Sequence, residues 1–598
     1  MNTIQKTGIS LFLLAMVIFT LALGWSDHTL STDSIYADND YHRSAIANTA
    51  ESRGLLNKTY SSNLSFISDY QSILNEAQSN LNSQFQGEGA PDGVAEWDFK
   101  IGDWKIKDYI FQAVRNSSSG WVPNRPMLFF FLTFGLAILG GFLYIIPMFQ
   151  TVPGIKHNGI YNDSLTRGLT LPVRKILLSL AIIGLVIYGV FYMNKDFVWP
   201  LLTLIIIGLI IYMVMVREAS KDRTPQRSAS PTTTGWIGLG VGIYFIAFYI
   251  LLYWKAEYLT NWIEMVDPIS MALSGNPASQ WFLYGLMYTI IVLVMGIRMI
   301  AKYRHNKYQI IRTISVIFFQ TAFAFLLPEI LVRMNQPWYD FKNIWPLNYT
   351  FFFDWNIETL TSSGALGIFM FVWGIALIII GVPVITYFFG KRWYCSWVCG
   401  CGGLAETMGD PYRQLSDKSL RAWKYERYII HGVLVFAIVM TALVLFTAIT
   451  GSRSVLFLSS DTVRGWYGFL IGSAFAGVVG TGFYPLMGNR VWCRFGCPLA
   501  AYLGLVQRFK SRFRITVNGS QCISCGNCST YCEMGIDVRW YAQRGQDIVR
   551  SSCVGCGVCS AVCPRGVLRL ENGSVDIDER TSQLRTVHID ESQVKILY

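Results

Sequence analysis

The sequence predicts a mostly α, polytopic transmembrane helical protein of about ten spans followed by a small α+β C-terminal module. Three observations carry that expectation. Hydrophobic residues make up 52% of the 598 and charged ones only 15%, a balance typical of membrane proteins and rare in soluble multidomain chains. Apolar runs long enough to cross a hydrocarbon core of about 30 Å recur along the chain. All 13 cysteines fall after residue 390 in four tight clusters, which points to thiolate ligands in a reducing compartment and not to a disulfide scaffold.

The expected spans are 8–25, 127–149, 174–193, 198–216, 235–254, 281–300, 309–332, 365–390, 428–449 and 466–487. Bases gather in alternate loops. Lys156, Arg167, Arg174 and Lys175 follow the second span, and Arg217, Lys221, Arg223 and Arg227 the fourth. Arg298, Lys302, Arg304, Lys307 and Arg312 follow the sixth, and the stretch from Lys391 and Arg392 to Arg427 the eighth. Short cytoplasmic loops accumulate Lys and Arg, so these four loops are assigned to the cytoplasm of a bacterial inner membrane. Trp199, Trp262, Trp338 and Trp345 then fall at the outer interface. The net charge of +11 follows from these loops and is a topology signal, not the footprint of a nucleic-acid partner. Lipid is the expected surrounding.

This arrangement divides the chain into six expected parts. Residues 1–25 are a first span or signal anchor, since Lys6, an apolar run, Ala22 and Gly24 also fit a signal peptide. Residues 26–125 form a polar periplasmic segment, in which Leu64, Ile67, Tyr70, Ile73, Leu74, Ala77, Leu81 and Phe85 recur at helical spacing. That helix either packs on its own small domain or docks a partner. Residues 126–364 are membrane helices without an assigned motif; 365–515 are membrane helices that carry the first cysteines; 516–572 are the C-terminal module; 573–598 are a cytoplasmic tail.

The module reads CISCGNCSTYC and, about twenty residues on, CVGCGVCSAVCP, which is C-x2-C-x2-C-x3-C twice. A tight turn kept open by Gly526 or Gly557 lets three thiolates converge on one cubane face. Structural zinc also uses C-x2-C pairs, but eight cysteines without histidine, with Pro564 after the last, favour iron–sulfur. Five cysteines remain: Cys395, Cys399 and Cys401 in KRWYCSWVCGCGG, and Cys493 and Cys497 in NRVWCRFGCPLA. The C-x3-C spacing sets two thiols one helical turn apart, and Lys391, Arg392, Arg490 and Arg494 favour thiolates beside them. They are candidate ligands of an additional metal site at the membrane edge. Redox-active or merely buried thiols fit the same spacing.

Residues 520–570 resemble the bacterial two-cluster ferredoxins, in which the fourth cysteine of each run ligates the other cluster. The resemblance implies two [4Fe–4S] clusters in a ferredoxin-like α+β module. Cys522, Cys525, Cys528 and Cys563 would hold one cluster, and Cys553, Cys556, Cys559 and Cys532 the other. Glu533 stands where those ferredoxins have proline. Taken with the spans ending in paired cysteines, residues 365–570 are similar to the membrane polyferredoxins. These include accessory proteins of nitrate reductase, regulator-type proteins of nitrous oxide reductase and assembly proteins of cbb3-type oxidases. The family places its pairs at Cys395 and Cys399 and at Cys493 and Cys497 with Pro498. Gly400 replaces the family's proline after the first pair, and Cys401 is an extra thiol.

What the resemblance implies is membrane electron transfer by a subunit of an oxidoreductase system, exchanging with redox partner proteins or quinol in a membrane complex. Metallocentre assembly, metal reduction and redox sensing are the alternatives. No nucleotide-binding glycine loop follows a strand, so direct NAD(P)H oxidation is not expected. Six histidines give haem little support, since only His431 begins a span. Glu329 lies inside the seventh span and is expected to pair with Arg333; Glu257, Glu264 and Asp267 are expected to be solvated in an outer loop.

Overall fold

A computed structural model describes residues 3–88, 99–151, 236–452, 454–455, 458–518, 521–572, 587–590 and 593–596. The chain divides into two compact units, one of residues 1–151, 247–290 and 329–335, the other of 152–246, 291–328 and 336–598. Most described residues are helical, with a few small sheets.

Six helices among the described residues are long and apolar enough to cross a membrane: Thr3–Gly24, Pro126–Gln150, Gln280–Tyr303, Lys307–Arg333, Gly364–Phe389 and Leu420–Thr450. The expected spans 174–193 and 198–216 lie outside the described residues. The expected span 235–254 coincides with helix Trp236–Trp254, which is apolar along its length. The expected span 466–487 falls in a glycine-rich helical path from Ser460 to Gly482 that turns at Phe483, just before Pro485. Glycine lowers the mean hydropathy of that path, and the proline cannot continue its hydrogen bonding.

In the first unit, helix Thr3–Leu21 packs on helix Leu136–Ile145 where two glycines meet. A Cβ on Gly8 would lie 2.6 Å from the Gly140 carbonyl, and one on Gly140 2.6 Å from the Gly8 carbonyl. Small residues of this kind let membrane helices approach backbone to backbone. Trp262, expected at an outer interface, is instead buried. It donates from Nε1 to the Phe19 carbonyl at 2.6 Å, and Asn261 donates to those of Ala22 and Leu23 at 2.8 and 3.1 Å. These bonds satisfy carbonyls that a helix end leaves open.

Residues 26–88 and 99–124 of the same unit share a core. Strand Asp27–Thr29 pairs antiparallel with Thr59–Tyr60 on one side and Ser118–Ser119 on the other. Helices Asp40–Ser52, Asn63–Glu88 and Asp103–Ser117 enclose a core to which the 64–85 stripe contributes Ile67, Tyr70, Ile73, Leu74, Ala77 and Leu81. The amphipathic helix therefore packs on its own domain, although Leu64 stays 63% exposed. The acids expected in solvent are elsewhere. Glu257 and Glu264 are buried, and Asp267 pairs with Arg115 at 2.5 Å. Ser118 donates to Glu264 at 2.6 Å, and burial pushes that carboxyl up to about 7. Glu264 and Asp267 thus meet partners that only the fold brings near, while Glu257 pairs with its neighbour Lys255 at 3.3 Å. Arg333 donates to the Ala272 carbonyl at 2.6 Å.

In the second unit the loop 336–353 folds inward. Tyr339 donates to the Met370 carbonyl at 2.9 Å, Trp373 to that of Phe341 at 3.0 Å, and Trp345 to Thr441 at 3.0 Å. Met370, Trp373 and Thr441 sit within membrane-length helices, so this irregular backbone lies at their level. Such backbone is tolerated there because protein groups satisfy it. Trp338 remains exposed, as an interface residue would.

The C-terminal module follows helix Pro498–Lys510. Strands Arg514–Val517 and Leu568–Glu571 pair antiparallel, and between them come the short helices Asn527–Thr530, Val538–Gln543 and Val558–Ala561. Gly526 and Gly557 precede the first and third of these at φ 74° and 73°. That left-handed conformation is one an L side chain adopts only with strain.

Candidate functional site

The module's eight cysteines surround two cavities. One is lined by Cys522, Cys525, Cys528 and Cys563. The other is lined by Cys532, Cys553, Cys556 and Cys559. Each cavity thus takes three cysteines from one run and the last cysteine of the other. The cause is local: a single helical turn after Gly526 or Gly557 carries the chain away from the cavity its run has begun.

Among the described residues, no three of these thiols lie within 4.8 Å of one another. A tetrahedral zinc with Zn–S bonds of about 2.3 Å would need its sulfurs about 4 Å apart. The cavities therefore fit a larger thiolate-bound group than one ion. Burial pushes the Cys528 thiol up to about 12 and Cys553 up to about 11, so they ionise there only when bound metal compensates the charge.

The second cavity is clamped from outside the module. Gln507 donates to the Cys553 carbonyl, Ser396 to Val554, Tyr308 to Gly555 and Gln309 to Cys556, each at 2.8 Å. Four consecutive carbonyls of the CVGC turn are held by side chains from three separate stretches of chain. None of the four donors stands out in the sequence as functional.

Beside this turn lies a buried set of ion pairs. Glu533 is fully buried and pairs with Arg413 at 2.6 Å and Arg490 at 3.1 Å. Arg490 also pairs with Glu406 at 2.5 Å, and Glu406 with Arg312. Asp410 pairs with Arg413 at 2.8 Å, Lys302 at 2.7 Å and Arg298 at 3.3 Å. Burial opposes the Glu533 charge, but Arg413, Arg490 and Arg312 outweigh it and hold the carboxyl at about 2. Several bases read as topology signals thus serve as counter-ions to carboxylates inside the fold. The departure from proline at Glu533 was the legible sign of this set. Glu406 and Glu533 also bring a carboxylate oxygen within 4.8 Å of the Cys556 sulfur.

The edge cysteines Cys395, Cys399, Cys493 and Cys497 are buried in one core with Cys528, Cys553 and Cys559 of the module, while Cys401 is exposed. Neither C-x3-C pair lies on one continuous helix, contrary to the spacing argument. Cys395 ends helix Arg392–Cys395, and Cys399 is extended, at φ −66° and ψ 124°, ahead of helix Gly400–Thr407. Cys493 lies in the π-helical turn Trp492–Gly496, and Cys497 is extended, at φ −85° and ψ 110°, ahead of helix Pro498–Lys510. Proline disfavours the helical region for the residue before it, which accounts for Cys497. Gly400 leaves Cys399 in the same conformation without a proline.

The Cys497 sulfur accepts from the Ala500 N–H at 3.4 Å, and Arg490 donates to the Cys493 sulfur at 3.6 Å. A hydrogen bond with Cys401 overcomes burial and, with the Gly402 N–H and Lys342, pulls the Cys399 thiol down to about 6. Lys342 comes from the inward loop, where the Tyr394 hydroxyl donates to its carbonyl at 2.9 Å and Asp340 pairs with it at 3.1 Å.

Two families match these segments. One, described as a 4Fe-4S binding domain, matches residues 369–420 and 468–516, which carry the edge cysteines; the other, a 4Fe-4S dicluster domain, matches 514–564. A relative from Escherichia coli (strain K12), named "Putative electron transport protein YccM", is 27% identical over 168 residues, covering 25% of this chain and 43% of the relative. The chain therefore matches less than half the length of that relative. No solved structure matches. The chain thus carries 4Fe-4S binding domains for two [4Fe–4S] clusters together with six helices of membrane length among its described residues.

Proposed function

We propose that Cys522, Cys525, Cys528 and Cys563 hold one [4Fe–4S] cluster, that Cys553, Cys556, Cys559 and Cys532 hold the other, and that the chain conducts electrons between redox partners at a membrane. The observation that supports this reading is the gathering of the eight cysteines into two fours, each around its own cavity. Bound clusters supply one-electron storage at each cavity. The chain's own residues supply rigidity. Gln507, Ser396, Tyr308 and Gln309 pin one turn of thiol-bearing backbone, and a ligand loop that does not move with charge needs little reorganisation.

In this reading the module corresponds to 516–572 and follows polyferredoxin-like membrane helices at 365–515, with residues 126–364 as further helices and 573–598 as a tail. We keep ten spans, a bacterial inner-membrane location, cytoplasmic clusters and a periplasmic domain at 26–125, on the alternation of basic loops. The partners are redox proteins, with quinol as an alternative donor, and a membrane complex is compatible with this. Cys395, Cys399, Cys493 and Cys497 are assigned to a further centre because the two pairs repeat one local geometry and share Arg490, which touches Cys493 and the Cys395 carbonyl. The exposed extra thiol Cys401 is the one feature that favours the second reading, a metal-reducing or metallocentre-assembly factor.

The test is iron and acid-labile sulfide per chain, with low-temperature EPR of protein purified without oxygen and reduced with dithionite. About eight irons with two interacting [4Fe–4S] signals are expected from the module. An excess of iron that disappears in Cys399→Ser or Cys497→Ser assigns the further centre. Iron-free protein, or four-thiolate zinc in its place, refutes the reading.

A further inference from the structure

The two cavities differ in what surrounds them. The one lined by Cys532, Cys553, Cys556 and Cys559 is covered by the clamping side chains and the buried ion pairs. The one lined by Cys522, Cys525, Cys528 and Cys563 opens on a surface. There Ile523 is 53% exposed, Trp540 41% exposed, and Pro564 exposed. Arg539 and Arg565 line the same cavity as Ile523 and Pro564. Gln543 donates to Ser524 at 2.6 Å, tying the CISC turn to helix Val538–Gln543, and the Arg544 guanidinium lies 3.9 Å from the centroid of the Trp540 ring. These residues therefore form one face. The acid beside them, Asp537, is turned to internal use, accepting from Ser529 at 2.6 Å and capping its helix at Trp540.

Among the described residues, then, the cavity's open side has an apolar centre with three guanidinium groups around it. We propose that this face docks a small soluble electron-carrier protein whose redox group lies within an acidic surface, and that one electron at a time crosses between that carrier and the cluster at Cys522, Cys525, Cys528 and Cys563. The inference rests on the cluster assignment above and adds the partner's chemistry. In each transfer the carrier is oxidised by one electron as the cluster is reduced by one, or the reverse; no bond is made or broken. The charge decides the occupant. A cationic rim steers acidic partners and repels basic ones, and the small apolar centre suits the limited, short-lived interfaces of redox encounters. The exposed face also places a partner beside three half-buried cysteines, against two in the clamped cavity.

The test uses the full chain in detergent under anaerobic conditions, with flavodoxin hydroquinone as the acidic probe, dithionite as a small reductant and cytochrome c as a basic oxidant. For the wild type, the second-order rate with flavodoxin should fall as salt rises from about 20 to about 300 mM. The double variant Arg544→Glu, Arg565→Glu should react roughly tenfold more slowly with flavodoxin at low salt, and after reduction faster with cytochrome c. The single variant Arg544→Glu, whose side chain is outside the cavity lining, should match the wild type in iron content and in its reduction by dithionite. Should the double variant lose iron, Arg544→Glu alone should give the same direction. Equal flavodoxin rates in wild type and variant, or rates insensitive to salt, overturn the docking proposal while leaving the clusters standing. A slower flavodoxin rate without a faster cytochrome c rate also overturns it, because charge is then not the cause. Absence of any cluster signal in the wild type would overturn the assignment on which the proposal rests.

Discussion

Replacing Glu533 by glutamine removes one negative charge from the set of ion pairs beside the second cavity. One carboxylate oxygen faces Arg413 at 2.6 Å and Asn489 at 3.2 Å, the other faces Arg490 at 3.1 Å. An amide keeps an acceptor for one side only and turns an NH2 donor towards a guanidinium on the other. Arg413, Arg490 and Arg312 hold the carboxyl well below its ordinary value, so the fold favours the charged form. Breaking a buried ion pair by removing one partner costs about 3–5 kcal/mol, and the lower end applies because Arg413 keeps Asp410 and Arg490 keeps Glu406. About 3 kcal/mol corresponds to roughly a hundredfold more frequent local opening.

The assay is hydrogen exchange resolved to peptides covering 533–538 and 553–557, because a chain of two units has no single unfolding free energy. Protection in both peptides should fall roughly a hundredfold in Glu533→Gln. The double variant Glu533→Gln, Arg413→Gln should fall by less than the sum of the two single variants, since each alone leaves a buried charge without its partner. Unchanged protection, or strict additivity, would refute the claim that these charges act as one set.

Three further outcomes follow from other parts of the structure. Because each cavity borrows its fourth cysteine, Cys563→Ser and Cys522→Ser should abolish the same EPR signal, and Cys532→Ser and Cys556→Ser the other; loss paired by sequence run instead would show that the fours are wrongly assigned. In the first unit, burial pushes Glu264 from 4.5 up to about 7 and His28 from 6.5 down to about 4. Glu264 contributes stability that is full below pH 4.5 and is lost as pH rises towards 7. His28 contributes stability that is full above pH 6.5 and is lost as pH falls towards 4. The two offset each other between these limits, so Glu264→Gln should turn a nearly flat local-stability profile into one that loses about 3 kcal/mol from pH 6.5 to 4, read by hydrogen exchange in peptides of the first unit. A variant as flat as the wild type would show that one of these groups is not buried. Gly8→Ile should destabilise the contact between helices Thr3–Leu21 and Leu136–Ile145 by about 1–3 kcal/mol, as the new Cβ would meet backbone, while Gly24→Ala, with nothing within 4 Å, should be neutral in the same measurement.

How much of this could be read before folding depends on the range of the interaction involved. The six membrane-length helices and the two cysteine runs were legible because hydropathy and C-x2-C spacing are local quantities. The cross-over of the fourth cysteine followed from a resemblance, and the cavities group the residues in the same way. The glycines ahead of the short helices were legible too, since a turn of that sharpness demands a positive φ. The acids were misread. Glu257, Glu264 and Asp267 looked like loop residues, and nothing near Glu264 and Asp267 in sequence announces Ser118 or Arg115, more than a hundred positions away.

From its order of residues alone the chain was settled as a helical membrane protein with iron–sulfur cysteine runs, because span length and ligand spacing are set within a few turns of backbone. Only the tertiary structure decided that Arg312, Arg413 and Arg490 are buried counter-ions, that loop 336–353 folds inward, and that one cavity is clamped while the other opens on a cationic face. The reason is physical. A side chain's charge is written in the sequence, but its partner and its contact with water depend on segments brought together by packing, and no local pattern encodes which segments those are.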